Sequence, residues 1–193
     1  MDKSRHHNSS DWQLCPVRLQ ADDALQKAVI DYHRTVYQDQ FTEDSGINHQ
    51  LPFQLRAFRY LEDWRVMLLL TPWMLARLFI PNQIPDIGIP ADWTAESRQN
   101  CDYLVIGPSV DFSLLSGKQK AHLNYAKEFG HYLLHPLVLD MTPFNIADQV
   151  FEAWNEIIGR RDENLKKMQK ENPRQQEISR RELFKGFLRP VHR

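Results

Sequence analysis

Between Ala21 and Gln40, apolar side chains recur at Leu25, Ala28, Val29, Tyr32 and Val36. These are positions i, i+3, i+4, i+7 and i+11, one face of an amphipathic helix. Asp22 and Asp23 suit the positive end of its dipole. Thr42 to Gln50 is polar and contains Gly46, a loop. The period then changes to two. Phe53, Leu55 and Ala57 alternate with Gln54, Arg56 and Phe58, which predicts a strand over Leu51 to Leu61. Glu62-Asp63 makes a turn, and Trp64 to Leu70 reads as a second, more continuously apolar strand, so the pair forms an antiparallel hairpin. Pro72 cannot continue a central strand but suits the first position of a helix, so Trp73 to Phe79 is expected to be a short helix.

Pro81, Pro85, Gly88 and Pro90 mark an irregular connection, and Cys101 to Ile106 a further strand stopped by Gly107-Pro108. From Ser116-Gly117 to about Leu134 the spacing of Leu123, Ala126, Gly130, Leu133 and Leu137 predicts a helix, ended by His135-Pro136. Asn145 caps a last long helix with Ile146, Val150, Ala153, Trp154 and Ile157 along its inner stripe. Beyond Gly159 the stripe gives way to charge, and Pro173 breaks a polar linker.

The fold class that follows is α+β: one domain, an antiparallel sheet of at least three strands packed against helices on one face, with a basic C-terminal tail. The expected division is a flexible N-terminal segment over 1–20, the α+β domain over 21–159, and a basic helical extension and tail over 160–193.

Composition narrows the class. A chain of 193 residues, 42% hydrophobic and 25% charged, is long enough for one real core. Its longest apolar stretches are interrupted by Thr71, Pro72 and Arg77 and fall short of the ~20 residues a membrane span needs, so no membrane insertion is expected. The N-terminus has no apolar region of a signal peptide, and the two cysteines, Cys15 and Cys101, form no CxxC, which fits a cytoplasmic protein with reduced thiols.

Charge is unevenly placed. From Arg160 to Arg193 there are eleven lysines and arginines against five acids, +6, which leaves −7 on the preceding residues of a chain whose net charge is −1. The acidic body should attract basic segments, its own tail included. The body of the chain is acidic, and nucleic acid is not an expected partner.

Leu70-Thr71-Pro72-Trp73-Met74-Leu75, followed by Leu78-Phe79-Ile80-Pro81, is the most informative stretch. It resembles the HybE/HupJ family of [NiFe]-hydrogenase maturation chaperones. Leu51-Pro52-Phe53-Gln54-Leu55 with Ala57-Phe58-Arg59, and Gly107-Pro108-Ser109-Val110-Asp111-Phe112, agree in order. The resemblance spans roughly Asp22 to Ile158. It implies a non-enzymatic chaperone without cofactor or metal. Its partner would be a hydrogenase small subunit, a precursor with iron–sulfur clusters and a twin-arginine export signal, and other maturation factors could join it.

Thr71, Pro72, Trp73 and Met74 are then candidate client-binding residues. Trp73 and Met74 read either as a packed corner or as a peptide-contacting surface. Ser179-Arg180-Arg181-Glu182-Leu183-Phe184-Lys185 is a near copy of a twin-arginine core. Arg180, Arg181 and Phe184 accordingly join the candidate set, in two readings. In one, Leu183, Phe184, Phe187 and Leu188 pack on the domain. In the other, the tail imitates a client signal in an acidic groove. The runner-up function is a small metal- or ligand-binding enzyme built on His131 and His135, placed at i and i+4 of the expected helix. No GxGxxG, P-loop or GxSxG occurs.

Overall fold

The computed structural model describes residues 11–171, with side chains described as far as 160 and at 163. The candidate residues Arg180, Arg181 and Phe184 lie outside it. Residues up to Val150 form one compact unit and those from Phe151 onward another.

Six strands form one antiparallel sheet: β1 (Gln54–Leu61), β2 (Trp64–Thr71), β3 (Met74–Pro81), β4 (Ser109–Leu114), β5 (Gly117–Ala126) and β6 (Gly130–Val138). Their order is β1-β2-β3-β6-β5-β4. Two three-stranded meanders thus meet through their last strands, with Leu78 opposite Leu134 and Phe79 opposite Leu133. With α1 (Asp22–Val36), α2 (Ala95–Arg98) and α3 (Ala147–Glu171), the molecule is the expected α+β fold, but three elements differ from expectation.

Met74–Pro81 is a strand, not a helix. It is buried on both faces, so its run is apolar apart from Arg77 and carries no period to distinguish strand from helix. Ser116 to Leu134 is a hairpin rather than a helix. Gly130, at φ +85°, takes the left-handed position that lets the chain reverse between Ala126 and Gly130. The 3-4-3-4 spacing that imitated a helix arises where the second half of β5 and the first half of β6 are buried on both faces. Cys101–Ile106 is irregular. Side chains satisfy its backbone instead of a ladder: Asn124 Nδ2 donates to Leu104 O (3.2 Å), and the Gln40 carboxamide meets both Tyr103 N (3.0 Å) and Tyr103 O (3.3 Å).

One sheet face packs on α1, whose Leu25, Val29, His33 and Val36 are buried against Met67, Leu69, Leu78 and Leu134. A short π-helical turn, Tyr37–Phe41, extends α1. Its carbonyls are capped by the Thr42 hydroxyl, which donates to Tyr37 O and Gln38 O. At the other end of the chain, α3 starts two residues after Asn145. The Gln149 carboxamide reaches back to accept from Asn145 N (2.8 Å), so Gln149 rather than Asn145 supplies the cap.

The opposite face is curled. The rings of Trp64 in β2 and Phe112 in β4 lie 5.5 Å apart, although a flat sheet would hold strands four steps apart at about 19 Å. Trp64, Phe79, Phe112, Leu123 and Leu133 fill the curl together with Trp12, Ile89 and Trp93 from segments outside the sheet and the α-helices. Residues 11–20, expected to be flexible, are therefore partly built into the core. Trp12 Nε1 donates to Ile87 O (2.6 Å), Gln13 N donates to His131 Nδ1 (2.8 Å), and His131 N donates to Gln13 O (2.9 Å).

A β-carbon on Gly130 would lie 2.2 Å from Gln13 O, whereas one on Gly117, also at positive φ, would meet nothing within 4 Å. Gly117→Ala should therefore cost only backbone strain, about 1–3 kcal/mol. Gly130→Ala should cost more and release Trp12. Thermal melts of the two variants, with tryptophan emission, check this: a red shift is expected in Gly130→Ala alone.

Candidate functional site

Thr71 to Met74 is the two-residue turn between β2 and β3, with Thr71 and Met74 as its flanking pair. Pro72 presets the first turn position. The Thr71 hydroxyl accepts from Met74 N (3.1 Å) and donates to Met74 O (3.3 Å), bracing the turn from inside. Asn48 N holds Pro72 O at 3.0 Å. The Asn48 carboxamide donates onward to Met141 O (3.1 Å) and Phe144 O (2.5 Å). A polar cleft of about 320 Å³, lined by Asn48, His49, Gln50, Thr142 and Asn145, lies beside this junction.

All four residues of the turn are buried. Trp73 stacks on Phe41 (centroids 4.6 Å, 26°) and is boxed by Phe53 (5.9 Å), Tyr103 (6.2 Å) and His33 (6.3 Å). Of the two sequence readings, the packed corner describes these side chains, and Trp73 and Met74 present no exposed peptide-contacting surface. The turn is brought together with α1 and with the 101–104 segment, which the sequence did not connect to it.

The box is electrically quiet at neutral pH. Burial pushes the His33 imidazole down to about 4, partly offset by its Val29 hydrogen bond. Since Val29 O can only accept, Nδ1 carries the proton (2.8 Å). Burial raises the phenols of Tyr32, Tyr103 and Tyr132. The Trp73 indole and the Tyr132 hydroxyl approach Tyr103 Oη, but none of the three makes a hydrogen bond of good geometry. A polar cleft of about 190 Å³ opens beside the box, lined by Tyr32, Gln40, Tyr103, Asn124 and Glu128 among others.

His131 and His135 do not form the pair the helical spacing suggested. Both lie on β6, where four residues span about 13 Å, too far for one ion. His131 is fully buried, with Nδ1 accepting from Gln13 N and Nε2 facing Trp93 O (3.0 Å). Both ring nitrogens are thus engaged. Among the described residues, no group of three His, Cys, Asp or Glu side chains could hold a metal ion. No helix there is long and apolar enough to cross a membrane.

Gly107-Pro108 opens a strand, β4, rather than only ending the segment before it. Its signal was present: Val110, Phe112 and Leu114 alternate with Ser109, Asp111 and Ser113, and the first set turns inward while the second is exposed.

A family model described as [NiFe]-hydrogenase assembly, chaperone, HybE matches residues 24–186. The curated proteins and the solved structures yield no match.

Two outcomes are expected. Trp73→Ala should lower stability by about 3–5 kcal/mol, the cost of emptying a buried aromatic site; a melting temperature close to that of the parent would mean the box collapses around the gap. The second concerns acid. Below the ordinary histidine pKa of 6.5, the unfolded chain takes up a proton at His33 that the folded chain refuses until about pH 4. Stability should then fall by about 3 kcal/mol as pH drops through that window. The buried His131 adds loss of the same sign, because burial lowers its pKa as well. His33→Leu should show a shallower fall of melting temperature between pH 6.5 and 4.5; an unchanged slope would assign the effect to another group.

Proposed function

This chain belongs to the HybE family of [NiFe]-hydrogenase assembly chaperones, and on that premise we propose that it binds the precursor of a hydrogenase small subunit, in the cytoplasm, before export. The observation that carries this reading is the family match over residues 24–186, which spans the whole sheet and the Thr71–Met74 turn. The reading is that of a binding protein rather than an enzyme. The buried box supports it, since its histidine is held neutral and its phenols protonated, leaving no group poised to move a proton at neutral pH.

Thr71, Pro72, Trp73 and Met74 serve the client from beneath. They fix the Asn48 junction and the polar cleft beside it, and so act by holding a surface rather than by touching the client. Arg180, Arg181 and Phe184 compete with the client as a local copy of its twin-arginine core. A +6 tail on a −7 body favours that contact, and tethering gives it about millimolar effective concentration.

Capture of a hydrogenase small-subunit precursor, with and without its signal segment, by the purified full chain tests the reading. Capture that depends on the signal segment is expected. Removing residues from Ser179 onward should tighten binding of a twin-arginine peptide in trans, an effect that fades as salt rises. No capture of either precursor would remove the small subunit as partner; equal peptide affinity with and without the tail would remove the competition.

A further inference from the structure

The two edges of the sheet are built differently. β1 is blunted: its register shifts between Arg56 and Arg59, Ala57 sits at φ +53°, and Arg56 is paired with Asp148 (2.6 Å). β4 has none of these devices. It pairs with β5 in unbroken register from Ser109–His122 to Leu114–Gly117. The hairpin closes on Leu115-Ser116, so Leu114–Gly117 is a hydrogen-bonded pair, and Phe112 and Val110 bond inward in turn. Pro108 O, which accepts from Leu123 N (2.9 Å), continues the same phase. The backbone N–H and C=O groups of Ser109, Asp111 and Ser113 therefore point away from the sheet, and among the described residues no strand pairs with them.

Apolar side chains stand uncovered at both ends of this edge. Leu115, at the hairpin tip, is 94% exposed, and Leu104 and Ile106, just before the strand, are 47% and 39% exposed. Beside the edge runs a groove of about 310 Å³ between β4, the Glu62-Asp63 turn and the segment 83–87. Trp64, Phe112 and Ile87 contribute apolar surface to it. Glu62, Asp63, Asp86 and Asp111 supply carboxylates, and no lysine, arginine or histidine lines it. The nearest cations on the adjoining strand are Lys118 and Lys120, across from Ser113 and Asp111.

We propose that β4 takes up an extended, arginine-containing segment of the client as a seventh strand, with alternate side chains of that segment entering the acidic, aromatic-walled groove. This rests on the reading of the chain as a client-binding chaperone and gives that reading a surface. Main-chain bonding to Ser109, Asp111 and Ser113 supplies affinity without sequence demand. The carboxylates select a basic segment, and the planar guanidinium fork can bond two of them at once where an ammonium is only a point charge. Leu104, Ile106 and Leu115 offer apolar contact at the two ends.

The test uses the full chain and a synthetic eight-residue peptide with arginine at alternate positions and valine between. Hydrogen exchange should slow at the amides of Ser109, Asp111 and Ser113 when the peptide is added. Ser113→Pro removes one outward N–H and leaves the ladder to β5 intact; it should weaken binding at least about fivefold with an unchanged melting temperature. Asp63→Asn with Asp86→Asn should weaken it about tenfold at low salt, the difference shrinking at high salt. A peptide N-methylated at alternate amides should not compete, which keeps the proposal testable should Ser113→Pro unfold. Undiminished binding by these variants, or protection elsewhere on the sheet, would overturn it. So would slow exchange at the three amides before any peptide is added, since a segment of this chain or a second copy would then hold the edge, and concentration dependence tells those two apart. Capture of the precursor by Ser113→Pro as well as by the parent would remove this surface and leave the chaperone reading standing. Loss of capture by the parent, with the peptide still seated on β4, would count against the chaperone reading alone.

Discussion

The antiparallel pairing of β3 with β6 is the joint on which the molecule depends. Each meander by itself is a three-stranded ribbon with two faces to cover. Joined at Leu78–Leu134 and Phe79–Leu133, they make a sheet wide enough for α1 to lie across one face and twisted enough to curl on the other. The curl brings Phe112 of β4 back over Trp64 and Phe79. Without that joint neither core closes, because α1 packs on residues from both meanders and the curl is lined by both.

The same joint explains why the sequence could be read at its edges and misread at its centre. A strand with one wet face keeps its alternation, and β1 was legible as a strand for that reason, although the bulge at Ala57 puts Phe58 rather than Ala57 against the core. Strands buried on both faces lose it. β3 is an apolar run broken only by Arg77, and β5–β6 carry a chance helical spacing from residues facing opposite cores. Surface helices kept their period, so α1 and α3 were found with ends off by a few residues. His33 escaped notice because a histidine is not expected on an apolar stripe, although it sits four residues after Val29 and three before Val36 on the buried face.

The candidate site was legible in part. The Thr71–Met74 motif was singled out for its composition, and it proved to be a structural pivot. A tryptophan follows a proline in a two-residue turn, where a side chain would ordinarily be wet, and four aromatic and imidazole rings are spent in burying it. The partners that bury it, Phe41 and Tyr103, lie 32 and 30 residues away on either side, and no local pattern announces such contacts. The β4 edge, by contrast, was visible as alternation and missed for want of a rule that Gly-Pro can open a strand as readily as close one.

The clasp between Gln13 and His131 has a consequence for the order in which the chain is made. Its two sides are 118 residues apart, and Trp12 beside it buries into a curl whose walls include Leu133 of β6. On a ribosome adding about 5–20 residues per second, this segment has no place to dock until β6 has been synthesised. The indole of Trp12 must stay wet through that interval of seconds.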